Sequence, residues 1–281
     1  MVRAFLLFRP CFSAVTTMPA TTAPGKLRVA CIASGLGHVR RGLEIWMAQL
    51  TRELHRHPSV DAEAWGSCRS PQPFPTRRIP MVRRDSPVLS PLRWHNRYHI
   101  EQMSAIIPCV VALRRRKTQI AFCADPSLAW NLKRFQRWHG SKVFFSDGMR
   151  LSPRWLQAYD GIHLLAPVYL EEAKSVVRPD RFDRFFAIPY FADTSLFRPG
   201  TRQEREALRQ TLGIPSDHRV ALSVGPVGTE SSKRLDHVAQ ELAASGGDQW
   251  TLLSAGADET GAAEVRARCE AALGPRMRFL G

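Results

Sequence analysis

The sequence predicts a doubly wound α/β fold, on three observations. Short apolar runs rich in β-branched or aromatic residues alternate with longer stretches whose apolar residues recur at helical spacing. The first such pair is joined by a glycine-rich turn, Ala33-Ser34-Gly35-Leu36-Gly37-His38-Val39-Arg40-Arg41-Gly42. The alternation restarts after a change of charge balance near residue 200, so a chain of 281 residues reads as two domains.

Taken in order, residues 1–25 read as a disordered leader, or as translation begun upstream of a start near Met18, because Arg9 and Pro10 cut a brief apolar run short. Leu27 to Ile32 is a strand buried on both faces. Leu43, Trp46, Met47, Leu50 and Leu54 form the apolar stripe of a helix. Val60 to Trp65 alternates as a second strand. Six prolines between Pro71 and Pro91 rule out long regular structure, so residues 66–96 form a loop, either solvated and mobile or lying on anionic lipid through its arginine pairs. A helix over 98–117, with Pro108 as a kink, ends in Arg114-Arg115-Arg116-Lys117, cations that complement its dipole. Strands at 119–124, 142–145 and 161–166 alternate with helices at 128–138 and 169–177, and Phe185 onward supplies a closing strand and an extended connector.

The second half opens with a helix over 202–212 stopped by Gly213. Strands at 220–225, 250–256 and 277–280 alternate with a helix starting near Lys233 and another over 260–273. Three strands are half of a doubly wound domain, and the last is expected to leave an edge or apolar surface uncovered. The domains are 26–197 and 198–281.

Forty basic residues against 25 acidic ones give +15, which points to anionic partners. Residues 69–154 hold 17 basic and 4 acidic residues, a balance of +13, whereas residues 201–281 hold 10 and 11. The basicity therefore belongs to one face of the first domain. No CxxC pair occurs among the cysteines at 11, 31, 68, 109, 123 and 269, so neither a zinc site nor a disulfide framework is indicated, which fits a reducing cytoplasm. The longest apolar run, Met103 to Leu113, is too short to span a bilayer.

A glycine turn between strand and helix aims backbone N–H groups and a helix N-terminus at an anion. The dinucleotide fingerprint would place its third glycine at position 40, where Arg40 stands, so hydride transfer loses weight; a tight turn that binds nothing stays open.

The order of these landmarks resembles the family 4 nucleotide-sugar glycosyltransferases of the GT-B fold, over about Lys26 to Gly281. Gly35-Leu36-Gly37-His38-Val39-Arg40-Arg41-Gly42-Leu43-Glu44 is similar to the turn that opens the family's acceptor domain. The run from Ile188-Pro189 through Asp193-Thr194 to Phe197-Arg198-Pro199 is similar to its interdomain connector. Leu212-Gly213-Ile214-Pro215, Ser223-Val224-Gly225, Lys233-Arg234-Leu235-Asp236 and Phe279-Leu280-Gly281 follow in the family's order. The resemblance implies two Rossmann-like domains, the second incomplete, and metal-independent, retaining transfer of a sugar from a nucleotide-diphosphate donor, with no cofactor, to a glycan, lipid or small-molecule acceptor.

By the same resemblance Gly35, Gly37, Arg40, Glu44, Gly225, Lys233 and Arg234 bind substrate, with Lys233 on the diphosphate, and His38 and Asp125 are the catalytic candidates. Departures temper this. Pro226 stands where the family has a phosphate-binding arginine, which leaves Arg234 as the replacement. Cys123-Ala124-Asp125-Pro126 lacks the family's histidine, leaving Asp125, which otherwise serves as an N-cap, and His38 otherwise borders the phosphate. The paired-glutamate motif lies beyond the third strand of the second domain, so the chain as given is expected to be inactive. The implied location is cytoplasmic and peripheral at a membrane. Nucleic acid is not expected as a ligand of a glycosyltransferase; the rival readings are a non-catalytic basic protein that binds anionic lipid or nucleic acid, and an NAD(P)-dependent oxidoreductase.

Overall fold

The structure is a computed structural model and describes residues 25–39, 41–67, 73–148, 150–194, 197–245 and 248–281. The expected leader, but for Gly25, lies outside the described residues. The chain divides into two compact units, one ending at Phe191 and one beginning at Ala192.

In the first unit, β1 (Leu27–Ile32), α1 (Gly42–Arg56), β2 (Val60–Gly66) and β3 (Thr76–Arg78) are followed by α2 (Trp94–Arg116) and β4 (Ile120–Cys123). Then come α3 (Pro126–Arg134), α4 (Gln136–His139), β5 (Lys142–Asp147), α5 (Pro153–Leu156), β6 (Gly161–Leu164), α6 (Pro167–Lys174) and β7 (Phe185–Ala187). The seven strands are all parallel, in the order β3-β2-β1-β4-β5-β6-β7. Alternate residues of β1 feed opposite cores, as the period of two requires. Val29 and Cys31 pack with Trp46 and Met47 of α1, whereas Ala30 and Ile32 pack with Ala105, Cys109 and Leu113 of α2 and Leu128 and Leu132 of α3.

Several expectations shift. The long helix begins at Trp94, four residues early, and continues through Pro108. The helix expected over 128–138 is two pieces, separated by Phe135 at φ −90° and ψ 12°. The proline-rich segment contains β3, which extends the sheet beside β2. It is also pinned: Ile79 N–H donates to Gly66 (2.8 Å), Val82 N–H to Ser104 Oγ (2.9 Å) and Arg84 N–H to Glu101 Oε2 (2.6 Å). Proline removes donors and restricts φ without preventing a segment from being tied down by its other residues.

The second unit comprises α7 (Arg202–Thr211), β8 (Arg219–Val224), α8 (Leu235–Ala244), β9 (Trp250–Ala255), α9 (Ala262–Leu273) and β10 (Met277–Phe279). Its parallel sheet has the order β10-β9-β8. A capping box starts α7: Thr201 Oγ1 accepts from Glu204 N–H (3.2 Å), and Glu204 Oε2 accepts from Thr201 N–H (2.7 Å). Gly213 follows α7 at φ +58°, the conformation expected of a glycine that ends a helix. Leu235, Ala239, Val265, Cys269 and Leu273 bury one face of the sheet with Leu252 and Met277. The last strand, β10, is an edge of this sheet, as expected, whereas the exposed apolar row lies on the other edge strand, β8, at Val220, Leu222 and Val224, because α8 and α9 cover the face opposite those three side chains.

Candidate functional site

Strand order reverses between β1 and β4, since β2 and β3 extend one way and β5 to β7 the other. Residues just past the carboxyl ends of those two neighbours are therefore brought together, at the place where open α/β sheets form ligand crevices. Ser34 follows β1 and Asp125 follows β4, with Ala124 N–H donating to Ile32 across the gap (3.1 Å). Asp125 Oδ2 accepts from Ser34 N–H (2.5 Å), and Oδ1 accepts from Ser34 Oγ (3.1 Å) and from Tyr98 Oη of α2 (2.7 Å). Asp125 does occupy the N-cap position of α3, but its side chain makes no capping bond there. The competing donors from β1 and α2 take it instead.

Next to this pair lies Arg84, from the proline-rich segment, only 7% exposed. Its Nε and Nη2 donate to Glu101 Oε1 (2.9 and 2.5 Å), and Nη2 also donates to Ser34 Oγ (3.1 Å). The guanidinium lies 4.3 Å from the Tyr98 ring centroid. Glu101 Oε2 also faces His38 Nε2 (2.9 Å), while His38 Nδ1 faces Ser67 Oγ (2.7 Å). Burial alone would raise the Glu101 carboxyl, but hydrogen bonds from His38 and Arg84 outweigh it and hold it down at about 2. Glu101 is then an acceptor only, so Nε2 carries the proton. With both ring nitrogens engaged and a side chain 1% exposed, His38 ties Glu101 to Ser67 and presents neither nitrogen to a substrate.

Glu44, on the first turn of α1, hangs over the glycine turn. A Cβ at Gly35 would stand 2.2 Å from Glu44 Oε1, so a side chain there would displace the Glu44 carboxylate from its place over the turn. Glu44 lies 4.0 Å from Arg84, and its buried Oε2 has no hydrogen-bond partner among the described residues. Burial pushes the Glu44 and Asp125 carboxyls up, in Asp125 despite its three donors. Gly37 sits in the same turn at φ +93°. Arg40 lies outside the described residues.

Beyond Glu44, Trp46 stacks on His163 of β6 (4.9 Å between centroids) and on Tyr190 (4.5 Å). Burial pushes the His163 imidazole down; its Nε2–H donates to Ile188 C=O (2.6 Å), so Nδ1 accepts from Ser146 Oγ (2.9 Å).

In the second unit the carboxyl ends of β8 and β9 meet at two glycines. A Cβ on Gly256, at φ +158°, would fall 1.9 Å from Gly225 O. The Lys233 stem lies over Gly225, whose added Cβ would meet Lys233 Cγ at 2.9 Å, so these two expected site residues are brought together. Arg234 occupies the N-cap of α8 at φ +45°, with its guanidinium against the His237 ring. Arg84, Tyr98 and Glu101 were missed by sequence reasoning. The only signal was a glutamate among apolar helix positions.

Among the described residues, no group of three or more His, Cys, Asp or Glu side chains is placed to hold a metal, and no helix is long and apolar enough to cross a membrane.

No protein-family model matches the chain, and no curated protein sequence matches it. Solved structures do. HepE of Anabaena, in complex with UDP and glucose, superposes at a TM-score of 0.60 with 13% identity, over 91% of this chain and 69% of that one. Sucrose-phosphate synthase from Thermosynechococcus elongatus gives 0.62 and 17%, over 90% and 70%. The catalytic domain of starch synthase IV from Arabidopsis thaliana, bound to ADP and acarbose, gives 0.63 and 11%, over 91% and 74%. The chain therefore has the fold of the GT-B glycosyltransferases, with a seven-stranded first sheet and a three-stranded second one.

Proposed function

We propose that the chain is a glycosyltransferase that takes its sugar from a nucleoside-diphosphate donor. The observation that carries this reading is the likeness, over about nine-tenths of the chain, to structures holding UDP or ADP. The chain's own residues suit the task. The leaving nucleoside diphosphate develops negative charge, and fixed donors aimed at it lower the barrier. Lys233, laid over Gly225 at the carboxyl edge of the second sheet, supplies such a charge, with Arg234 in the same turn. The glycine turn and Glu44 serve the acceptor, and the buried Arg84–Glu101–His38 set fixes the turn's shape instead of touching substrate. Concentration of basic residues in the first unit supports work beside an anionic membrane surface on the cytoplasmic side.

Calorimetric titration of the 281-residue chain with UDP, ADP and GDP tests the donor proposal. One nucleotide is expected to bind saturably, and Lys233→Ala to weaken it by about 10- to 100-fold, the worth of one hydrogen bond to a charged group. Absence of binding by all three, or an unchanged affinity in the variant, would overturn it.

A further inference from the structure

The proline-rich segment borders a half-open pocket of about 180 Å³, lined by Ser67, Arg78, Ile79, Pro80, Met81 and Arg83. One of its two cations, Arg78, comes from alternation along β3, and the other, Arg83, from the segment that follows. Arg77 turns to one side of β3, where it meets Glu63 (3.2 Å) and the Trp65 ring, and Arg78, one residue on, takes the other side. Arg78 pairs with no carboxylate among the described residues. Arg83 pairs with the exposed Asp85, yet its Nε–H is buried without an acceptor. A buried, unmet donor is destabilising, and an incoming acceptor relieves it. The walls are preformed, because Ile79, Val82 and Arg84 are each held by a backbone N–H bond, to Gly66, Ser104 and Glu101. Ser67 also touches His38, so the cavity adjoins the glycine turn after β1.

We infer that this cavity is a phosphate subsite. Two guanidinium groups offer forked donors to a tetrahedral dianion, while the Ser67 hydroxyl, which donates to Leu36 C=O (3.0 Å), only forms part of the wall. Ile79, Pro80 and Met81 give the remaining space an apolar lining suited to the carbon atoms that a phosphate ester carries. If the glycosyl-transfer reading holds, on which this last step rests, the acceptor is a phosphate ester whose hydroxyl reaches the glycine turn.

The test titrates the whole chain with inorganic phosphate, glycerol 3-phosphate and glycerol at constant ionic strength, by phosphorus NMR and calorimetry. Both phosphates are expected to bind and glycerol not to. Arg78→Ala and Arg83→Ala should each weaken binding at least tenfold and together abolish it, with unchanged circular dichroism; Arg83→Gln, which keeps most of the side-chain volume, should behave as Arg83→Ala. Vesicles of phosphatidic acid and of phosphatidylcholine separate the sources: retention by the former alone, lost in the double variant, identifies a lipid headgroup, whereas submillimolar glycerol 3-phosphate binding identifies a soluble ester. Equal phosphate binding by wild type and double variant, or none by either in all formats, overturns the subsite. UDP titrated in parallel reads the donor proposal separately. Its affinity should stay within twofold in the double variant, and a loss matching that of phosphate would place the donor's diphosphate here and overturn a separate subsite.

Discussion

Three buried carboxylates, Glu44, Glu101 and Asp125, surround the single guanidinium of Arg84, and their surroundings make them unequal. Glu101 takes the two-nitrogen contact and the histidine, so its charge is met; Glu44 keeps an unpartnered oxygen. The consequence for stability has a definite sign. Glu101 is held at about 2, below its ordinary value near 4.5, so it contributes stability that is fully present above about 4.5 and is lost as pH falls toward 2. Glu44 and Asp125 are raised and act oppositely: their cost is relieved as pH falls through their native values. The amount by which the wild-type urea midpoint exceeds that of Glu101→Gln should therefore shrink as pH falls from 5 to 2. Glu101→Gln should start lower, by about 3–5 kcal/mol for a buried pair broken on one side, and show a flatter or inverted slope over the same range.

At the scale of elements, the strand ends decide where side chains can gather. In the second unit the approach of β8 to β9 leaves no room for a side chain between Gly225 and Gly256. Gly256→Ala would drive a methyl group against backbone at a positive φ, and is expected to cost about 1–3 kcal/mol or more. Denaturation followed through Trp250, at the start of β9, reads this. Gly42→Ala is the contrast. A Cβ there meets nothing within 4 Å at the first residue of α1, so the change should be neutral or stabilise by a few tenths of a kcal/mol.

At the scale of the molecule, the units differ in how well their strands are covered. In the first, β1 and β4 are enclosed by two cores on opposite faces. In the second, α8 and α9 cover one face, and β8 carries no buried residue. Local opening costs least where few apolar contacts protect the backbone hydrogen bonds. Amides of β8 are therefore expected to exchange with solvent by at least tenfold faster than those of β1 and β4. Hydrogen exchange read by mass spectrometry on peptides covering 219–224, 27–32 and 120–123 checks this, and equal protection would contradict it.

What the sequence determined by itself is the alternation of strands and helices and the two glycine-bearing turns. These depend on neighbours a few residues apart: β-branched runs for buried strands, helical spacing for α1 and α8, Gly213 to end α7. The placing of Lys233 beside Gly225 was also legible, because strand, turn and helix follow directly in the chain. What only the tertiary structure decided is the chemistry at the end of the first sheet. Ser34 and Asp125 are 91 residues apart and meet because β1 and β4 are neighbours in the sheet. That meeting takes Asp125 from the cap its sequence position suggested, while Glu101 and Ser67, 63 and 29 residues away from His38, hold its ring inward. Arg84 is the sharpest case. In sequence it is one arginine among many in a proline-rich stretch, and only the buried Glu101, on a helix 17 residues away, makes it a core residue. A charge is buried only where its partners already wait, and those partners are supplied by the fold.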